Sequence, residues 1–141
     1  MTPKERARKS ADVMWASDKA SVWFGMSIDA VDEGYAVLSL TVCEQHLNGL
    51  AICHGGVTFA LADSAFAFAC NSRNQATVAQ HNSISYLAAA KLGDVLKAEA
   101  KEISQQGRNG IFDVNVTNQS GTVIAIFRGC SRTVRGHLFE E

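Results

Sequence analysis

The chain has 141 residues, 47% hydrophobic and 19% charged, with thirteen Lys and Arg against fourteen Asp and Glu for a net charge of −1. That size and composition suit one globular domain around one core rather than a disordered chain, and the near-neutral balance lacks the basic excess that nucleic-acid binding needs. No apolar run approaches the roughly 18 residues of a membrane span, and the charged stretch Met1–Ser10 has no secretory apolar segment, so the expected location is the cytoplasm, away from membranes.

Thr2-Pro3-Lys4-Glu5 is a helix start, with Thr2 as N-cap, Pro3 at the first helical position and Glu5 closing a capping box. The helix is expected to reach about Ala20, and residues 1–25 form an N-terminal helical segment. Met26–Val31 reads as extended, Asp32-Glu33-Gly34 as a turn, and Tyr35–Val42 as a half-buried strand with Ala36, Leu38, Leu40 and Val42 on one face. Gln45–Cys53 is a loop. From His54 to Asn71 runs the longest apolar stretch, Ala-rich and therefore helical, apolar nearly all round and therefore buried, with Asp63 as its single charge. Strands are expected at about 77–87, 95–105, 111–118 and 122–134. Gly93-Asp94, Gly107–Gly110 and Ser120-Gly121 mark the turns. The short connections among the last three strands demand antiparallel hairpins. The fold class is α+β, an antiparallel sheet of five or six strands curling around one long buried helix, over residues 26–136. Residues 137–141, next to it, form a polar tail of the kind that termini leave mobile. A sheet wrapped on one helix leaves an edge and a helix flank uncovered, so a second copy of the chain is expected.

Cys43, Cys53, Cys70 and Cys130 contain no CxxC pair and read as reduced and mostly buried. Cys43, His46, Cys53 and His54 are residue types of a zinc set, but neighbours in sequence seldom both turn toward one tetrahedral metal, so no metal site is expected. Cys53 beside His54 fails as a nucleophile pair for the same reason. His46 and His81 have no partner at a recognisable spacing.

Two features carry chemistry. His54-Gly55-Gly56 opens the buried helix, where unpaired N–H groups carry partial positive charge and glycines admit close approach. Such a mouth suits an oxyanion, although the glycines equally suit tight packing on a strand. Asp63, a lone acid among apolar residues, is either a satisfied structural group or a functional one. Eight residues separate Gly55 from Asp63, about 12 Å along a helix at 1.5 Å per residue. A base must lie within about 3 Å of its target or act through one water. If both serve one substrate, they come from different protomers of a two-fold dimer, with two antiparallel helices forming two equivalent sites.

Asn48, His54-Gly55-Gly56, Leu61-Ala62-Asp63 and the run Ala65-Phe66-Ala67-Phe68-Ala69-Cys70-Asn71-Ser72 resemble the hotdog-fold acyl-CoA thioesterases, most of all the phenylacetyl-CoA thioesterase (PaaI-type) branch. Phe127-Arg128-Gly129 and Ser131 are similar to that branch too. The resemblance implies that Asp63 is nucleophile or general base toward a thioester, that the Gly55 N–H polarises the carbonyl with His54 helping to position it, and that Asn48 orients the carboxylate or water from the facing side. Some related enzymes place Ser or Thr on the strand after the helix; here that position falls at Ala79, with Asn82 and Ser83 as nearby alternatives. Arg108 is the first candidate for the coenzyme A phosphates, ahead of Arg73 and Arg128, and equally suits a solvated hairpin. Gly56 would line the mouth, while Phe59 and Phe66 are candidates for the acyl group and suit the core as well. The expected function is hydrolysis of aryl- or arylacetyl-CoA thioesters, phenylacetyl-CoA or its ring-hydroxylated relatives first, in phenylacetate degradation. No cofactor is expected, coenzyme A being part of the substrate, and the resemblance implies a dimer of dimers. The alternatives are a non-catalytic acyl-CoA-binding module of the same fold, an enoyl-thioester hydratase and a purely structural oligomeric domain.

Overall fold

The computed structural model describes residues 1–141. Helices α1 (Pro3–Trp15) and α2 (Lys19–Phe24) precede strands β1 (Ser27–Asp32) and β2 (Tyr35–Thr41). The central helix α3 (Gly55–Cys70) is followed by β3 (Thr77–Tyr86), β4 (Val95–Gln106), β5 (Asn109–Thr117) and β6 (Val123–Thr133). The six strands form one antiparallel sheet in the order β1-β2-β4-β5-β6-β3, which leaves β3 at an edge. This is the expected α+β hotdog arrangement, with six strands. No helix is long and apolar enough to cross a membrane.

The alternation of each strand decides which face meets α3. Leu38 and Leu40 on β2, Leu96, Ala98 and Ala100 on β4, Phe112, Val114 and Val116 on β5, and Ile124 and Phe127 on β6 are all buried. They close over Leu61, Ala62, Ala65, Phe66, Phe68 and Ala69 of α3. Small residues on β4 let the helix sit close to the sheet, and Gly129 does the same on β6. A Cβ there would come within 2.7 Å of the Phe66 ring.

The expected capping box at Thr2 is present: the Glu5 N–H donates to Thr2 Oγ1 at 3.1 Å and the Thr2 N–H to Glu5 Oε2 at 2.7 Å. The single helix to Ala20 is corrected to two. Asp18 accepts from the Ser21 N–H at 2.9 Å and starts α2, and Gly25, at φ 85°, ends it. A side chain that takes up a free N–H nucleates a new helix in place of extending the old one.

The tail is also corrected, because residues 137–141 are tied down. Buried Asn74 accepts through Oδ1 from the N–H groups of Leu138 and Phe139 at 2.9 and 3.0 Å and donates to the Phe139 carbonyl at 2.9 Å. Arg6 on α1 holds the Glu141 carboxylate at 2.8 Å. His46 is a buried structural group, bonded to the Cys43 N–H at 3.1 Å and, through Nε2, to the Phe24 carbonyl at 2.8 Å.

Candidate active site

The first turn of α3 is held from two directions. His54 is its N-cap, and Nδ1 accepts from the Gly56 N–H at 2.8 Å. The hydrogen-bond pattern assigns the neutral tautomer, with the proton on Nε2 as an outward donor from an exposed side chain. The other end of the same peptide unit is held by Tyr86, whose hydroxyl donates to the Gly55 carbonyl at 2.9 Å. With the Gly55–Gly56 peptide pinned at both oxygen and nitrogen, the Gly55 N–H stands at the helix start without a partner in the chain.

Both glycines now have a physical reason. A Cβ at Gly55 would lie 3.1–3.3 Å from the Tyr86 ring and hydroxyl, and one at Gly56 would lie 3.0 Å from His54 Nδ1. Asn48 lies at this end too. Its Oδ1 accepts from the N–H groups of Leu50 and Ile52 at 2.9 and 3.3 Å, which shapes the loop before the helix. A cleft of about 360 Å³ opens here, lined by Asn48, Cys53, Gly55, Thr58, Tyr86 and Ile124 among others.

Asp63 projects from the flank of α3 that the sheet leaves uncovered, a half-buried stripe shared with Phe59, Ala60, Ser64, Ala67 and Cys70. Its Oδ1 accepts from Asn82 Nδ2 at 3.1 Å. Burial pushes its carboxyl above the ordinary aspartate range, and the Asn82 bond pulls the other way. Cys70, on the same flank, is pushed up to about 12 by burial and by the Asp63 charge, so it remains a thiol.

His54, Gly55, Gly56 and Asn48 are thus brought together at the start of α3, and Asp63 with Asn82 lies two turns further along. Phe59 is half-buried, its ring edge on Phe127 at 5.5 Å between centroids. Two candidates are corrected. Phe66 is 1% exposed, packed against Phe112, Phe127 and Gly129, and so is sealed in the core where no acyl group can touch it. Ser83 pairs with Arg128 on the outer face, in a depression of about 480 Å³ with Asp113 and Asn115, across the sheet from α3.

Arg108 is exposed in the β4–β5 turn, where a shallow depression of about 360 Å³ is lined by it, Arg135, Gln75 and Thr133. That places it at the Thr77 end of β3, opposite the Tyr86 end that meets Gly55. Arg73 is committed to Glu102 and Glu33 at 2.6 and 3.3 Å, and Arg128 to Asp113 at 2.6 Å, so both are already paired.

Sequence reasoning missed the Tyr86 clamp and the β-bulge on β3. The register shifts between Ala79 and His81, with Gln80 as the extra residue, so Ala79 and Asn82 both face the helix although they are three apart.

The family model described as Thioesterase superfamily matches residues 50–125. The acyl-coenzyme A thioesterase PaaI of Escherichia coli is 40% identical over 136 residues, covering 96% of this chain and 97% of that protein. The solved structure of the E. coli PaaI protein from the phenylacetic acid degradation operon superposes with a TM-score of 0.95 at 39% identity, over 96% of this chain and 99% of that one. A hypothetical thioesterase from Streptococcus pneumoniae, solved with coenzyme A, superposes with a TM-score of 0.81 at 26% identity, over 90% and 98% of the two chains.

Proposed function

The chain belongs to the thioesterase superfamily and is a thioester hydrolase; from that premise we propose that it cleaves aryl- and arylacetyl-CoA thioesters, phenylacetyl-CoA and its ring-hydroxylated relatives foremost, in the cytoplasmic degradation of phenylacetate. One observation carries the reading: a free N–H at the mouth of α3 and a half-buried carboxylate on the open flank of the same helix, about 12 Å apart. Neither reaches the other's target within one chain. Two copies with α3 helices antiparallel bring the Asp63 of one to the mouth of the other, and the edge strand β3 is free to extend the sheet across the same boundary.

In that dimer the Gly55 N–H and His54 Nε2–H polarise the thioester carbonyl, and Asp63 of the facing protomer attacks it or activates water. Coenzyme A departs as a good leaving thiolate. Asn48, beside Gly55, faces the incoming carboxylate. Phe59 sits beside Asp63 on the flank and offers the acyl group an aromatic wall. Arg108 and Arg135, which have no carboxylate partners, offer charge to the coenzyme A phosphates. Their end of the molecule is the one that an antiparallel partner's helix mouth approaches. No metal or redox cofactor takes part. The dimer pairs again into a dimer of dimers.

Thiol release from a panel of acyl-CoAs, read with a thiol-reactive dye, tests the activity, and binding without release would leave a non-catalytic module. Shared sites are tested by mixing Asp63→Asn with Gly55→Val, whose added side chain meets Tyr86. Hybrid dimers regain activity. No recovery despite demonstrated subunit exchange refutes the shared site.

A further inference from the structure

The oxyanion end of the site is fixed by both His54 and Tyr86, whereas Asp63 is fixed by one group alone. Asn82 reaches it because the bulge at Gln80 resets the alternation of β3 and turns residue 82 toward α3. Opposite Asn82 stands Gly129, which adds no side chain to the space beneath the helix. The amide donates to Asp63 Oδ1 at 3.1 Å, and Asp63 Oδ2 has no partner within the chain. The other atom of the same amide, Asn82 Oδ1, is buried and receives no hydrogen bond. A buried carbonyl oxygen calls for a donor, and this acceptor belongs to the same amide that holds Asp63.

We propose that Asn82 is a positioning residue for the hydrolysis: it holds Asp63 by Oδ1, leaves Oδ2 as the reacting oxygen, and accepts through its own carbonyl one hydrogen of the attacking water. This rests on the thioester-hydrolase reading and assigns Asp63 the general-base role within it. Oδ2 takes the water's other proton as the water oxygen bonds to the thioester carbon, and the carbonyl electrons move onto the oxygen facing the Gly55 N–H of the opposite protomer. Collapse of the tetrahedral intermediate breaks the C–S bond, and the departing thiolate recovers the proton from Asp63, giving free acid and thiol. Ala79, on the same face of β3, has only a methyl group, so Asn82 is the polar side chain that β3 directs at Asp63.

The charged and titratable neighbours of Asp63 are few. On α3 it faces the Cys70 thiol. On β3, His81 pairs on the opposite face and the Tyr86 hydroxyl is spent on Gly55. From α2, Asp18 bonds Ser21, which shares a hydrogen bond with Ser64 and reaches α3 only through these hydroxyls. No charged side chain within the chain shifts the Asp63 carboxyl; burial raises it and Asn82 lowers it.

The test is Asn82→Leu, close in volume and without donor or acceptor, alongside Asn82→Ser, which keeps a short polar group. In Asn82→Leu, kcat falls at least tenfold with KM within about twofold, and the acidic limb of the kcat–pH profile moves up by at least half a pH unit, because the group that favours the charged carboxylate is gone. Asn82→Ser falls between Leu and the wild type. A limb and kcat that stay at wild-type values, or a change confined to KM, overturn the proposal. If Asn82→Leu does not fold, the limb of Asn82→Ser decides by the same criterion. The Asp63 side-chain carbon, titrated by NMR in ¹³C-aspartate-labelled protein, separates this proposal from the one beneath it. An unshifted titration in the variant removes the Asn82 clamp whatever the enzyme hydrolyses, whereas a shifted titration in a protein that releases no thiol from any acyl-CoA removes the hydrolase reading alone.

Discussion

His54 serves two purposes in this structure, and a pair of substitutions separates them. Its Nδ1 caps α3 through the Gly56 N–H at 2.8 Å, and its Nε2–H is an outward donor beside the Gly55 N–H. Alanine removes both. Losing a side-chain N-cap costs about 0.5–2 kcal/mol, and each kcal/mol moves the melting temperature of a chain near this size by roughly 2–4 °C, so His54→Ala should melt a few degrees lower. Losing one donor to a developing oxyanion costs up to about 10²–10³ in kcat, and the Gly55 N–H, which survives, keeps the effect within that range. Asparagine is among the best N-caps and is too short to put a donor where Nε2 stands. His54→Asn should therefore regain the wild-type melting temperature and keep the kinetic defect of alanine. Differential scanning calorimetry and thiol-release kinetics on the same preparations read the two effects. Turnover restored together with stability in His54→Asn would mean that His54 acts only as a cap, and an unchanged melting temperature in His54→Ala would mean that the cap contributes nothing.

Asp63→Asn should lose about 10²–10⁴ in turnover as the base is removed, and, diluted to the dissociated chain, should also melt higher than the wild type near pH 7.5. The sign follows from burial, which raises the folded-state carboxyl above its unfolded value. The native chain then holds its proton to higher pH than the unfolded chain, and stability falls as pH rises through that window. The advantage of Asn should shrink below the ordinary carboxylate range, near pH 3.5; a lower melting temperature for Asn at pH 7.5 would refute the burial argument. Gly129→Ala would place a Cβ 2.7 Å from the Phe66 ring, and overpacking of that kind costs about 1–3 kcal/mol, read as an earlier denaturant midpoint. Phe66→Leu should relieve part of that cost and leave the order of preference among acyl-CoAs unchanged, because Phe66 is sealed in the core; a changed preference would return Phe66 to the acyl pocket.

The elements that sequence reasoning placed well are those where one period dominates. Ala36, Leu38, Leu40 and Val42 alternate cleanly, and they line the core as that alternation requires. The elements it misplaced are those where the period is broken or carries no information. Along α3 apolar residues occupy every side, so spacing alone does not tell whether Phe59 or Phe66 meets the sheet; packing against Gly129 decides it, and Gly129 lies far away in sequence. On β3 a strict two-residue alternation started at Thr77 puts residue 82 on the wrong face, and one extra residue at Gln80 reverses the assignment for Asn82 and Ser83 together. The break after Trp15 has a visible signal in Asp18, an N-cap residue type standing inside the stretch expected to be one helix. Position fared better than direction: His54-Gly55-Gly56 opens α3 and Asp63 lies on it, because a helix start and a lone acid in an apolar run are properties of composition and spacing.

The helix that separates the two halves of the site also makes them compatible. In the single chain Asp63 lies beside the edge strand β3 on the half-buried flank of α3, loses part of its hydration, and has the Asn82 amide as its only compensation. Covering that flank with more hydrocarbon would raise the cost of the charge further. Covering it with an antiparallel α3 does the opposite at the position that matters, because a helix start carries about half a positive charge and unpaired N–H groups, and the partner's Gly55 is such a start. Assembly would then lower the Asp63 carboxyl toward its ordinary range as it creates the site, so dissociation should move the acidic limb of activity as well as its amplitude. Dilution through the dimer dissociation range, followed by the Asp63 ¹³C titration, measures this: an Asp63 that titrates identically in monomer and dimer would refute the proposed apposition of carboxylate and helix mouth.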